Sequence, residues 1–143
     1  MNAQGALRLC LAGTAAAEVG RAQAAAADWL QAQGCAAAVV ARAELLIEEV
    51  ALNILRHGFA ATRDAAAEVT VSLQGGRCVL EFADRGVAFD PTRAALPARG
   101  DPAREGGFGV PLIRALAQEA RYARTPDGRN LLRLVVAEGV LRP

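Results

Sequence analysis

The chain has 143 residues, 53% of them hydrophobic and 22% charged, which is enough for one well-formed core and too apolar for a disordered tail. A net charge of +1 gives no electrostatic basis for nucleic acid or an anionic membrane as the main partner, and no apolar run is long enough to span a bilayer. Lysine is absent and all 16 basic residues are arginine, which excludes a Walker A phosphate loop, a eukaryotic-type protein kinase site and Schiff-base chemistry.

In chain order, "ALRLCLAG" alternates apolar and polar residues and predicts a strand at about 6 to 12. An alanine-rich helix follows, with Thr14 as N-cap and Gly34 as its C-terminal stop. The stretch from about 36 to 58 has no proline, and no glycine until Gly58, so it reads as a second, longer helix. "AEVTVSLQGGRCVLEFAD" pairs two β-rich runs around Gly75-Gly76, the form of a hairpin. A long Gly-, Pro- and Arg-rich loop comes next, and loops of that length are usually functional. "FGVPLIRALAQEA" predicts a third helix, with Pro111 in its first turn. "RYART" and "NLLRLVVAEG" predict a closing hairpin around Pro126, Asp127 and Gly128. The order β-α-α-β-β-loop-α-β-β implies an α+β two-layer sandwich, three main helices packed on one face of a mixed, mostly antiparallel sheet. No repeat or boundary divides it, so residues 1–143 read as a single domain.

Three stretches carry candidate chemistry. In "EEVALNILRHG", Glu49, Asn53 and His57 are four residues apart and displaced about 40° each, so they form one polar stripe. Glu48 lies about 140° from Asn53 and reads as an ordinary exposed acid. Leu46, Val50 and Ile54 run beside the stripe, with Leu45 and Leu52 widening the buried arc. Such a stripe is either a solvated face or one wall of a cavity. "FADRGVAFDP" puts Asp84 and Gly86 at a strand end, as a plain turn or a place where backbone meets a ligand. "REGGFGVP" opens a helix with Gly106, Gly107 and Gly109, where backbone amides suit phosphate. One histidine cannot build a multi-histidine metal site, and a lone serine, Ser72 in a strand-like run, argues against a serine hydrolase. Phosphate chemistry here would need backbone amides, arginine and a metal ion. Cys10, Cys35 and Cys78 lack CxxC spacing and read as structural thiols. No basic region precedes the N-terminal apolar piece, so a cytoplasmic protein without a signal peptide is expected.

Together the three stretches resemble the nucleotide site of the Bergerat-fold ATPases and kinases, the superfamily of DNA gyrase and the sensor histidine kinases. Glu49 and Asn53 look like its N box, Asp84 and Gly86 like its first glycine box, and Gly107 and Gly109 like its second. More narrowly, "EEVALNILRHG", "DRGVAFDP", "EGGFGVPLIRALAQEARY" and "GRNLLRL" are similar to the stand-alone bacterial serine kinases that act as anti-sigma factors. The resemblance implies ATP and Mg2+ as cofactors, with Asn53 coordinating the magnesium that bridges the ATP phosphates. It implies Asp84 and Gly86 at the adenine, and Gly107, Phe108 and Gly109 with Arg104 around the phosphates. Glu49 becomes the general base for transfer to a protein serine, and residues from about 91 to 106 the lid, with Arg93 and Arg99 as further phosphate contacts. The implied partners are a sigma factor, a small STAS-type anti-anti-sigma antagonist and a second copy of the chain, with no direct nucleic acid and no membrane.

Rival readings are a partner-switching ATP-binding regulator without transfer, a detached histidine-kinase catalytic domain, and a nucleotide-free interaction domain. Two departures from the pattern stand out. Ala88 replaces the second glycine of the first box, where a positive φ would be strained. Asn130 occupies the region where the wider superfamily has a threonine, and no contact is assigned to it.

Overall fold

The computed structural model describes residues 5–12, 16–54, 66–92 and 109–138. In β1 (Leu7–Ala12), Leu7, Leu9 and Leu11 turn toward the helices while Arg8 and Cys10 face out. In α1 (Ala16–Ala32), Val19, Ala22, Ala26, Ala27 and Leu30 form one buried stripe at helical spacing. Gly34 ends this helix with φ +84. The Gly34 amide donates to Gln31 O at 3.0 Å and the Cys35 amide to Leu30 O at 3.0 Å, a Schellman cap that satisfies two orphan carbonyls. The expected N-cap, Thr14, lies outside the described residues.

The second helix, α2 (Ala37–Asn53), buries Val39, Val40, Ala43, Leu46, Ile47, Val50 and Ala51. Its predicted continuation to Gly58, with His57, lies outside the described residues. Leu45 departs from expectation: it is 45% exposed, because it falls on the outer face with Ala38 and Ala41 rather than on the buried arc. Glu48 is half-buried rather than exposed. Its Oε2 accepts from Gln23 Nε2 at 3.2 Å, and the same amide reaches Glu44 O at 2.9 Å, so this acid helps join α2 to α1.

The strands β2 (Ala66–Gln74) and β3 (Arg77–Asp84) form the expected hairpin. Gly75 and Gly76 both have positive φ, +60 and +81, as a two-residue type I′ turn requires. The third helix, α3 (Gly109–Leu116), is shorter than predicted, and Ala117–Ala120 begins β4 (Ala117–Arg124) instead. Alanine, glutamine and glutamate favour helix locally. Here β5 (Asn130–Val136) takes β4 as its partner along its whole length, from Ala117↔Val136 to Arg124↔Asn130, and that pairing prevails. The Ala137 amide donates to Leu116 O at 2.8 Å across the helix–strand joint. The β4–β5 turn runs through Pro126, Asp127 and Gly128 as expected, with Gly128 at φ +86.

The sheet order is β1-β2-β3-β5-β4 and every pairing among the described residues is antiparallel, so the architecture is the expected α+β two-layer sandwich of the Bergerat fold. Two rows cross its helix-facing side, Val69–Phe82–Leu132–Tyr122 and Val71–Leu80–Leu134–Ala120. They meet Leu46, Ile47 and Val50 of α2 in one core. No described helix is long and apolar enough to cross a membrane.

All three cysteines are free thiols. Cys10 is exposed, whereas burial pushes the Cys78 thiol up to about 12, with the nearby Cys35 and Glu138 adding to the rise. The thiolate is the reactive form. A disulfide reagent at neutral pH should therefore label Cys10 in the native protein and Cys78 only after unfolding. Rapid labelling of Cys78 in the native state, read by mass spectrometry, would contradict this core.

Candidate functional site

Side chains alternate along a strand, so the inward row of β3 that carries Leu80 and Phe82 also turns Asp84 toward the helices. By the same count back from Leu134 and Leu132, β5 turns Asn130 inward. The two are paired in register at one end of the sheet. Asp84 is 7% exposed and Asn130 6%, so each needs polar partners. On the helix layer the last residue of α2, Asn53, is 9% exposed.

These three residues line one pocket, of about 480 Å3 with its open mouth included. Its walls are apolar: Val50 from α2 and Ile54 at its C-cap, Phe82 and Leu132 from the sheet, and Val87 and Phe89 from the segment after β3. Val87 is 58% exposed and Phe89 41%, so the mouth presents apolar surface.

Hydrogen bonds fix the sheet end of the pocket. Asp84 Oδ1 accepts the Gly86 amide at 2.8 Å and Asn130 Nδ2 at 3.0 Å. Asn130 Nδ2 also donates to Val87 O at 2.9 Å. On its other side, Asn130 Oδ1 accepts the Tyr122 hydroxyl, Arg124 Nη1 at 3.2 Å and the Phe89 amide at 3.4 Å. Arg124 Nη1 donates to Gly86 O at 2.7 Å, which closes the ring. Arg85 extends the clamp to the β4–β5 turn by donating to Asp127 O at 3.2 Å. The Asp127 carboxyl is held below the usual carboxylate range, first by the Thr125 hydroxyl and then by Arg129 and Arg85.

The predicted residues therefore divide. Asn53 and Asp84 meet at the pocket, and Gly86 holds Asp84 through its amide. Gly109 is the first residue of α3. Glu49 is half-buried one turn before Asn53, outside the pocket wall and without a hydrogen bond among the described residues. Arg104, Gly107 and Phe108, with Arg93, Arg99 and most of the expected lid, lie outside the described residues. Ala88 is unstrained, since no described non-glycine residue takes a positive φ. Asn130, to which no contact was assigned, carries the densest bonding at the site. The signal available for it was its inward parity with Leu132 and Leu134.

A family model described as a histidine kinase-like ATPase domain matches residues 13–136. The serine/threonine-protein kinase BtrW of Bordetella bronchiseptica is 38% identical over 93 residues, which are 63% of this chain and 65% of that kinase's length. Among solved structures, a chain of the SiaB–SiaC complex from Pseudomonas aeruginosa superposes with a TM-score of 0.60 at 16% identity, covering 90% of this chain and 88% of its own. The histidine kinase domain of the blue-light activated histidine kinase from Erythrobacter litoralis EL346 gives 0.54 at 19% identity, covering 85% of this chain and 63% of its own. These two likenesses establish the fold.

Asn53 is 9% exposed and has no hydrogen bond among the described residues, so its amide contributes no stabilising bond to them. The nearly isosteric Asn53→Leu should leave Tm unchanged or raise it by up to about 4 °C, the shift expected for ~1 kcal/mol in a chain of this size. Scanning calorimetry checks this, and a comparable fall would show the amide to be structural.

Proposed function

The chain belongs to the histidine kinase-like ATPase domain family, and we propose that it is an ATP-dependent serine-protein kinase and anti-sigma factor that works by partner switching. The observation that carries this reading is the convergence of Asn53 and Asp84, 31 positions apart, on one apolar-walled pocket. The likeness to BtrW supports a protein kinase activity. In the proposal the whole chain is one catalytic domain in the cytoplasm, with residues from about 91 to 106 closing over the nucleotide. It holds a sigma factor inactive, or binds and phosphorylates a STAS-type antagonist, acts as a homodimer, and touches neither nucleic acid nor membrane directly.

The residues present fit the nucleotide. Val50, Ile54, Phe82 and Leu132 offer flat apolar contact for a purine ring. Asp84 Oδ1 is occupied by Gly86 and Asn130, while Oδ2 has no hydrogen bond among the described residues and is free to accept an exocyclic amine. Asn53 brings an amide oxygen, of the hard-donor type that magnesium prefers, with no hydrogen bond among the described residues. A magnesium ion held there would supply positive charge against that of the phosphates. Gly107, Phe108, Gly109 and Arg104 are the proposed phosphate contacts at the start of α3.

Glu49 stands one helical turn before Asn53, half-buried and outside the pocket wall. As general base its carboxylate takes the proton from the acceptor serine hydroxyl. The serine oxygen–phosphorus bond forms as the bond to the β-phosphate oxygen breaks, and ADP leaves.

The test is incubation with γ-labelled ATP and a candidate antagonist. Labelled phosphoserine on the antagonist is expected. Nucleotide binding without transfer would leave the non-catalytic regulator of the same fold. Phosphate on an acid-labile histidine would instead favour a histidine-kinase activity.

Glu49→Ala should keep ATP affinity and lose transfer by at least about a hundredfold, the scale of general-base catalysis. Equal loss of binding and transfer would remove Glu49 from that role. Asp84→Asn should weaken ATP binding at least about tenfold, the cost of a hydrogen bond to a charged group, without weakening inorganic triphosphate. A titration in which both fall together would show that the carboxylate does not read the base.

A further inference from the structure

Asn130 is 6% exposed and makes contacts that sort by chemistry. Its amide nitrogen faces acceptors, Asp84 Oδ1 and Val87 O. Its amide oxygen faces donors, the Tyr122 hydroxyl, Arg124 Nη1 and the Phe89 amide. Both N–H groups and both lone-pair regions are thus committed to protein atoms. A carboxylate in this place would meet Asp84 oxygen to oxygen, and a hydroxyl group has too few hydrogens to serve both acceptors. The side chain has nothing left to offer a ligand, although it borders the pocket.

What it does offer is restraint. With Asn130 and the Gly86 amide on Oδ1, the Asp84 carboxylate has one rotational setting, and its second oxygen is the one left for the pocket. Val87 O and the Phe89 amide are held by opposite sides of the same amide, so the segment that forms the pocket mouth is locked with it. We infer that Asn130, gripped by Tyr122 and Arg124, is the positioning residue that makes Asp84 discriminate between purines, without touching the base itself. This rests on the nucleotide reading given above. A fixed carboxylate oxygen accepts from the 6-amino group of adenine and repels the 6-carbonyl oxygen of hypoxanthine. A carboxylate free to swing away loses the first interaction and escapes the second.

The probes are ATP and inosine triphosphate, whose bases differ in the 6-substituent and in the hydrogen that N1 carries in hypoxanthine, with Kd measured by titration calorimetry. The wild-type chain should prefer ATP by at least about tenfold, the worth of one hydrogen bond to a charged group. Asn130→Ala should bring the two affinities to within about threefold of each other, and Tyr122→Phe should shrink the preference in the same direction by less. Tyr122→Phe removes one hydroxyl from a half-buried side chain on an edge strand, so it decides the matter if Asn130→Ala does not fold. Parallel weakening of both nucleotides, with the ratio kept, would overturn the inference and make Asn130 a purely structural clip. Equal binding of both by the wild type would overturn it too. Failure of the wild type to bind either would overturn the nucleotide reading together with it.

Discussion

Two polar side chains on the inward face of a sheet must find each other or lose stability, and that constraint organises this molecule. Asp84 and Asn130 stand at the end of rows that are otherwise leucine, phenylalanine and valine. Neither has access to enough water to be solvated. Their pairing draws in Tyr122 and Arg124 from the edge strand and the backbone of residues 86 to 89. The result is a polar corner built into an apolar layer, rigid because each member is satisfied by another. Asn53 lines the same pocket from the helix layer, with no hydrogen bond among the described residues.

Much of the fold could be read from local chemistry. Gly75-Gly76 between alternating runs announced the hairpin because a type I′ turn demands two positive φ angles. Gly34 announced the end of α1 for a similar reason. Asn53 of the polar stripe and Asp84 of the acid–glycine pair at the end of β3 both line the pocket, whereas Glu49 lies outside its wall. Failures occurred where distant partners overruled local preference. The run from Ala117 to Ala120 is composed of helix formers, yet backbone pairing with β5 makes it strand. Leu45 is apolar, but the helix turns it outward. Asn130 was unreadable by motif because its partners come from β3, the segment after it and β4, none of which any fixed spacing links to it.

The division of α2 into faces follows the same logic. Glu48 points toward α1 and is bound by Gln23, Glu49 has no hydrogen bond among the described residues, and Asn53 lines the pocket. Three polar residues within six positions thus take three different surroundings. Adjacent position in the chain says little about shared duty on a helix, where each step turns about 100°.

The joint between α3 and β4 has a mechanical meaning. Leu116 closes the helix and Ala117 opens the strand with no residue between them, and the Ala137 amide bolts the junction to the end of β5. A connection without spare residues has no slack. The irregularity between Ala117 and Glu119 is the one place along that path where the ladder is already broken. Any twist of α3 must be absorbed at that bulge or be carried along the strand to Tyr122 and Arg124, the residues that grip the polar corner. The helix that opens at Gly109 thus runs directly into the strand that supplies Tyr122 and Arg124 to the polar corner, with the bulge as the one irregularity along that described path.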